Sequence, residues 1–133
     1  MIKLAVIDDQ NTVINIFKLF FEDISDISLV GYANNGQDAI KIVDEHHPDV
    51  ILIDIEMPGM DGIEATKIIT QRFAKTKVIL FTSHDNKRIR SLAIKSGADG
   101  YVSKITDLQD LDRAVYLVRQ GFGFFQFKQI LSD

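Results

Sequence analysis

The chain has 133 residues, 46% of them hydrophobic and 26% charged, with a net charge of −4, which suits one globular domain and argues against a largely nucleic-acid-binding surface. It contains no cysteine, which excludes disulfides, thiol catalysis and cysteine-bound metals. No apolar run approaches the roughly 18 residues of a membrane span and no secretory signal opens the chain, so we expect a cytoplasmic protein without membrane contact.

Short apolar runs alternate along the chain with segments of helical periodicity, a pattern typical of repeated βαβ units. Strands are predicted at 3–7, 28–33, 50–54, 77–82 and 99–103. Helices are predicted at 11–24, 37–46, 62–74, 86–96 and 107–120. The first, third and fourth strands are apolar throughout, as expected for strands that helices cover on both faces.

The helices show which side chains should face the core and which should face solvent. In the first helix, the residues at helical spacing are Val13, Phe17, Phe20 and Ile24. The fourth helix carries a group of basic residues that we expect to form a solvated face, with partner docking as the alternative: Lys87, Arg88, Arg90 and Lys95.

Right-handed crossovers leave few ways to connect these elements. The predicted fold is α/β: a doubly wound, five-stranded parallel sheet of order 2-1-3-4-5 in a flavodoxin-like three-layer sandwich, over residues 1–121. This order places the first and third strands side by side at the switch point, where such folds bind ligands beyond the carboxyl ends of the strands.

Polar side chains stand where the apolar runs end. The set comprises Asp8 and Asp9 after the first run, Asp54 and Thr82 at the ends of the third and fourth, and Lys104 after the fifth. Singly, each acid could cap a helix or stabilise a turn, and the lysine could simply neutralise the acids. Two like charges ~4 Å apart cost about 4 kcal/mol at an effective dielectric of ~20. Because Mg²⁺ prefers oxygen ligands and lysine contacts phosphate, the convergence predicts a site for a divalent cation and a phosphoryl group.

Four stretches resemble the receiver domain of two-component response regulators over about residues 2–120. They are Asp8-Asp9, DIEMPGMDG at 54–62, Thr82-Ser83, and GADGYVSK at 97–104. The last stretch is similar to the subgroup joined to helix-turn-helix DNA-binding domains. Receivers are themselves known examples of the 2-1-3-4-5 strand order.

The resemblance implies that Asp54 accepts a phosphoryl group from a histidine kinase or a phosphotransfer protein. It implies Mg²⁺ or Mn²⁺ as cofactor, bound by Asp9, Asp54 and the backbone carbonyl of Glu56, with Asp8 reached through water. The domain would act as a phosphorylation-dependent switch rather than as a turnover enzyme.

The resemblance also implies roles for residues around the acceptor. Lys104 would pair with the phosphoryl oxygens, Thr82 would move toward them, and Tyr101 would rotate inward as the aromatic switch. Glu56 and His84 occupy positions similar to those that tune the lifetime of the acyl phosphate, although the default interpretation of His84 is a solvated loop residue.

One departure concerns the residue after the lysine. Many receivers have proline there and often a cis peptide, whereas this chain has Ile105. A cis bond without proline costs about 2.5–4 kcal/mol, so either isomer of the Lys104–Ile105 peptide stays open.

The segment 122–133 is aromatic rather than polar, with Phe122, Phe124, Phe125 and Phe127. It is predicted to be the start of a linker or a tail packed on the domain. Output through the surface of the fourth helix, fifth strand and fifth helix would control transcription by a DNA-binding domain absent from this chain, and a receiver homodimer is possible.

Two alternatives remain from the sequence. A stand-alone receiver would act by protein–protein contact. An aspartate-nucleophile phosphatase usually has acid, any residue, acid after its first strand, whereas Asp8 and Asp9 are adjacent and Asp54 precedes Met57-Pro58.

Overall fold

A parallel sheet carries the functional residues in this computed structural model, which describes residues 1–103 and 107–126. Its strands are β1 (Ile2–Ile7), β2 (Ile27–Ala33), β3 (Val50–Asp54), β4 (Lys77–Thr82), β5 (Gly100–Ser103) and β6 (Phe124–Phe125). The helices are α1 (Asn11–Glu22), α2 (Gly36–His46), α3 (Gly62–Arg72), α4 (Lys87–Lys95) and α5 (Leu108–Arg119). No helix in these described ranges is long and apolar enough to cross a membrane.

The strand order is β2-β1-β3-β4-β5-β6, and each neighbouring pair is parallel. The predicted order 2-1-3-4-5 is therefore confirmed for the first five strands. The short strand β6 was not predicted; it comes from the aromatic segment and pairs with β5. Residues 127–133 of that segment lie outside the described residues.

The sheet separates two hydrophobic cores. Leu4 and Val6 face α1 and α5, whereas Ala5 and Ile7 face α2, α3 and α4. Alternate residues of one strand thus reach opposite layers, and both layers are covered by helices, as the continuous apolar runs predict. The three-layer sandwich is confirmed.

The predicted buried face of α1 is partly wrong. The residues buried in the helix are Ile14, Phe17 and Phe21, whereas Val13, Phe20 and Ile24 are only partly buried around them. Phe17 makes edge contacts with Phe21 at 6.4 Å and with Phe81 of β4 at 5.4 Å between ring centroids. The helix is apolar over more than one stripe, so spacing alone could not locate the centre of its buried face.

Close packing at the start of α3 brings a loop against the end of β3. A Cβ atom at Gly62 would lie 2.2 Å from the carbonyl oxygen of Asp54, which no side chain can tolerate. The Gly62 amide also donates to the carbonyl oxygen of Ile55 at 3.0 Å. Glycine is therefore required for α3 to begin directly beside the strand that carries Asp54.

Candidate functional site

Three carboxylates meet at the carboxyl ends of β1 and β3. Asp8, Asp9 and Asp54 each offer an oxygen atom, and these oxygens lie within 4.8 Å of one another. Asp8 and Asp54 are buried, whereas Asp9 is exposed. The parallel pairing of β1 with β3 puts Ile7 opposite Ile53, which brings the following acids to the same level.

Backbone groups orient the two buried acids. The Gln10 amide donates to Asp8 Oδ1 at 2.8 Å, and the Glu56 amide donates to Asp54 Oδ1 at 3.2 Å. The N-cap of α1 is Gln10, which makes no side-chain capping bond. Neither acid after β1 is therefore the cap of that helix. The bonds that Asp8 and Asp54 accept from amides two residues further on are turn contacts, as the structural alternative predicts, but turn contacts do not require the three acids to meet.

The donor set fits a hard divalent cation. All three side chains offer carboxylate oxygens, the ligand type that Mg²⁺ prefers, and their separation lets one ion approach more than one of them. The cluster opens onto a surface cleft lined by Asp9, Ile55, Glu56, Met57, Pro58, Asp61 and Ile89. Of the three acids, Asp9 lines this cleft, so solvent reaches the cluster from that side.

Thr82 belongs to a hydrogen-bonded group that we call the threonine cluster: Thr82, Glu56 and His84. The buried Thr82 hydroxyl donates to Glu56 Oε1 at 2.6 Å and accepts from the His84 amide at 2.9 Å. His84 Nδ1 lies 2.8 Å from Glu56 Oε1. The side chains of His84 and Glu56 are 73% and 37% exposed, so solvent reaches two members of the cluster.

Tyr101 belongs to a second group, the tyrosine cluster: Tyr101, Asp85 and Arg90. Tyr101 is fully buried, and its hydroxyl donates to Asp85 Oδ1 at 2.7 Å. Arg90 forks onto the same carboxylate, with Nε 2.7 Å from Oδ1 and Nη2 2.8 Å from Oδ2. Burial raises the pKa of Tyr101 well above its usual range, and the hydrogen bond to Asp85 raises it further.

Sequence reasoning missed Asp85 and misassigned Arg90. The Arg90 side chain is only 17% exposed and that of Asp85 only 1%, so Arg90 does not belong to a solvated face. The sequence does place Arg90 five positions after Asp85. That spacing predicts a contact only when the conformation of the loop between β4 and α4 is known. Arg88, by contrast, is exposed as expected.

The structure thus brings Asp8, Asp9 and Asp54 together and links the threonine cluster to them through Glu56, whereas Tyr101 belongs to a separate group. Lys104 and the Lys104–Ile105 peptide lie outside the described residues. The strand that leads to them ends at Ser103, whose register partner on β4 is Thr82.

Comparisons with known proteins all indicate the same family. Residues 4–116 match the family model described as response regulator receiver domain. The chain is 33% identical over 127 residues to the transcriptional regulatory protein DegU of Brevibacillus brevis, covering 96% of this chain and 54% of DegU. It is 36% identical over 121 residues to the response regulator UvrY of Escherichia coli K12, covering 91% and 56%. The chain therefore spans about half the length of these curated relatives.

Solved structures agree with the sequence relatives. A two-component response regulator of the LuxR family from Aurantimonas superposes with a TM-score of 0.88 at 27% identity, covering 93% of this chain and 89% of that one. The isolated receiver domain of RcsB from Salmonella enterica, with the phosphomimetic beryllofluoride, superposes with a TM-score of 0.85 at 25% identity, covering 94% and 93%.

Proposed function

Because this chain belongs to the family of response regulator receiver domains, we propose that it takes a phosphoryl group onto Asp54 and works as a switch in two-component signalling. The donor is a phosphohistidine on a histidine kinase or phosphotransfer protein. The observation that carries this proposal is the meeting of Asp8, Asp9 and Asp54 within 4.8 Å beside an open cleft.

The proposed reaction is one in-line phosphoryl transfer. A carboxylate oxygen of Asp54 attacks the phosphorus of the phosphohistidine, and the P–N bond breaks with its electron pair going to the imidazole, which takes up a proton. The product is an acyl phosphate on Asp54. Water later attacks that phosphorus, releases inorganic phosphate and restores the carboxylate, so the protein ends unchanged.

A divalent cation fits the acids of this site. Asp9, Asp54 and the backbone carbonyl of Glu56 would hold Mg²⁺ or Mn²⁺, and Asp8 would reach it through water. Bound there, the ion would neutralise charge on the transferring phosphoryl group. The Gln10 amide meanwhile orients Asp8, and the Glu56 amide orients the carboxylate of Asp54. Lys104 is proposed as the cationic contact of the phosphoryl oxygens.

The threonine cluster is proposed to respond to the phosphoryl group. The Thr82 hydroxyl has one hydrogen to donate, and in this structure its hydrogen bond goes to the Glu56 carboxylate. To contact a phosphoryl oxygen, it must leave that carboxylate, so Glu56 and, through it, His84 are placed to tune the lifetime of the acyl phosphate. The change would then reach the surface formed by α4, β5 and α5.

The output is proposed from the relatives. DegU is named a transcriptional regulatory protein and UvrY a response regulator. We extend control of transcription to the protein that carries this domain, through a DNA-binding domain, and propose that it acts in the cytoplasm. Contact with a second receiver is a further proposed route of output.

Incubation with acetyl phosphate and Mg²⁺, followed by intact-mass measurement, tests the acceptor. The wild-type chain and Asp44→Asn, a control on the exposed face of α2, should each gain one phosphoryl group that hydroxylamine removes. Asp54→Asn should gain none, and chelation of the metal should abolish the gain of the wild type and of Asp44→Asn. A mass gain in Asp54→Asn as large as that of the wild type would overturn the assignment of Asp54 as the acceptor.

A further inference from the structure

We propose that Asp85 and Arg90 are positioning residues that hold Tyr101 inward before any phosphoryl group arrives. The inference rests on the proposed function, because it concerns how this receiver sets the position of its aromatic switch residue. In this chain, that position is set by a loop carboxylate and an α4 arginine rather than by the phosphoryl group.

The hydrogen bonds of the tyrosine cluster converge on one carboxylate. Asp85 Oδ1 accepts from the Tyr101 hydroxyl and from Arg90 Nε, while Oδ2 accepts from Arg90 Nη2. A planar guanidinium fits a carboxylate through two parallel bonds, which fixes the orientation of both groups. The oxygen that faces Tyr101 is therefore held in place by Arg90.

Burial makes each member depend on the others. The Asp85 side chain is 1% exposed and Tyr101 is fully buried. A buried carboxylate is tolerated when its charge is paired and its oxygens receive hydrogen bonds, and a buried hydroxyl needs an acceptor. An outward rotation of Tyr101 would give up its buried acceptor and expose the space beside Ile89 and Leu92, which pack against the same core.

The cluster joins three elements: the loop after β4, the helix α4 and the strand β5. Asp85 follows Thr82 by three positions and precedes Asn86, whose side chain caps α4 by accepting from the Ile89 amide at 2.9 Å. Arg90 lies within α4, and Tyr101 lies on β5. The fork therefore ties the loop after β4 to the helix that follows it and to the neighbouring strand.

The threonine cluster and the tyrosine cluster form separate sets of hydrogen bonds. In the same structure, the Thr82 hydroxyl is donated to Glu56, two positions beyond Asp54, while Tyr101 is already inward. The two residues have separate partners. Asp85 therefore holds the Tyr101 hydroxyl while Thr82 is bonded to Glu56.

The test uses NMR of the full chain with ¹³C-labelled tyrosine rings, assigned with Tyr101→Phe, and a soluble paramagnetic probe of solvent exposure. In the metal-free wild type, the Tyr101 ring should be protected and should change little when Mg²⁺ and beryllofluoride are added. Arg90→Gln should expose the ring, and beryllofluoride should restore its protection. The matched variant Arg88→Gln, on the exposed face of the same helix, should behave as wild type.

A second readout separates positioning from mere support of the fold. If Arg90→Gln lowers the inward population, its apparent affinity for beryllofluoride should fall by the same factor, at least several-fold, because only part of the protein is ready to bind. Arg90→Lys keeps the positive charge but not the two parallel hydrogen bonds to Asp85, so its loss of beryllofluoride affinity should be intermediate. This variant keeps the test valid if Arg90→Gln unfolds.

Two results would overturn the proposal: a Tyr101 ring that the probe reaches in the metal-free wild type, or an Arg90→Lys variant identical to wild type in both readouts. Failure of the proposed function is distinguishable. In that case the mass gain from acetyl phosphate at Asp54 would be absent, while the Tyr101 ring would still be protected in an Arg90-dependent manner.

Discussion

Thr82 and Tyr101 lie on neighbouring strands, but their surroundings differ. Thr82 is bonded to Glu56, whose other partner is the mostly exposed His84. Tyr101 is bonded to Asp85, which is buried and forked by an arginine. Exposed ion pairs contribute about 0–1 kcal/mol, whereas breaking a buried pair costs about 3–5 kcal/mol. The threonine cluster is therefore easily rearranged, and the tyrosine cluster is a fixed part of the fold.

The largest expected effect on stability comes from a change in the tyrosine cluster. Asp85→Ala removes the acceptor of the Tyr101 hydroxyl and strands a guanidinium charge, so the free energy of unfolding should fall by about 3 kcal/mol. Urea denaturation at neutral pH measures it. Asp44→Ala, on the exposed face of α2, should change stability by no more than about 0.5 kcal/mol. A loss below about 1 kcal/mol for Asp85→Ala would contradict the distinction between the two clusters.

Mg²⁺ should stabilise the protein next most strongly, because it binds only where folding brings the acids together. At a hundred times its dissociation constant, it should add about 2.7 kcal/mol to the free energy of unfolding. Thermal melts with and without Mg²⁺, repeated after chelation, measure this. The gain should be similar in Asp85→Ala and much smaller in Asp9→Asn. An equal gain in Asp9→Asn would place the ion elsewhere.

Tyr101→Phe should cost less than Asp85→Ala, about 1.5 kcal/mol, because it removes one hydrogen bond to a charged acceptor and leaves the fork. Burial, and then the bond to Asp85, raise the pKa of Tyr101. The stabilisation is therefore fully present below about pH 10, the unfolded value, and is lost as the pH rises toward the folded pKa. Urea denaturation against pH should show wild type losing its advantage over Tyr101→Phe above pH ~10. A difference in the free energy of unfolding that stays constant with pH would contradict the buried environment of the Tyr101 hydroxyl.

The smallest change in stability is expected on the exposed side. Glu56→Ala should alter the free energy of unfolding by less than about 1 kcal/mol. Because it frees the Thr82 hydroxyl, it should strengthen beryllofluoride binding by up to about five-fold, measured by titration in Mg²⁺. Glu45→Ala, an exposed residue of α2, should leave that affinity unchanged. Weaker binding in Glu56→Ala would mean that Glu56 supports the bound state instead of competing with it.

The sequence predicted the parts that follow from regular periodicity. Strands β3 and β4 begin and end where predicted, because continuous apolar runs bounded by proline or polar residues have clear ends. The meeting of Asp8, Asp9 and Asp54 follows from the parallel topology alone, since the carboxyl ends of adjacent strands share one edge.

The remaining features depend on tertiary packing. An arginine on an amphipathic helix is normally solvated, whereas Arg90 is largely covered and bonded to Asp85 of the loop before α4. Strand β6 has only two residues, too few for alternation to be recognised. In α1, Ile14 and Val13 are both apolar, so the choice between them was made by the fit against the sheet.

Chemical trapping of the acyl phosphate tests the central claim most directly. The chain is phosphorylated with acetyl phosphate and Mg²⁺, reduced with borohydride to convert any aspartyl phosphate to homoserine, digested, and sequenced by mass spectrometry. We expect homoserine at position 54 and unmodified aspartate at positions 8 and 9. Homoserine at position 8 or 9, with position 54 unmodified, would contradict it.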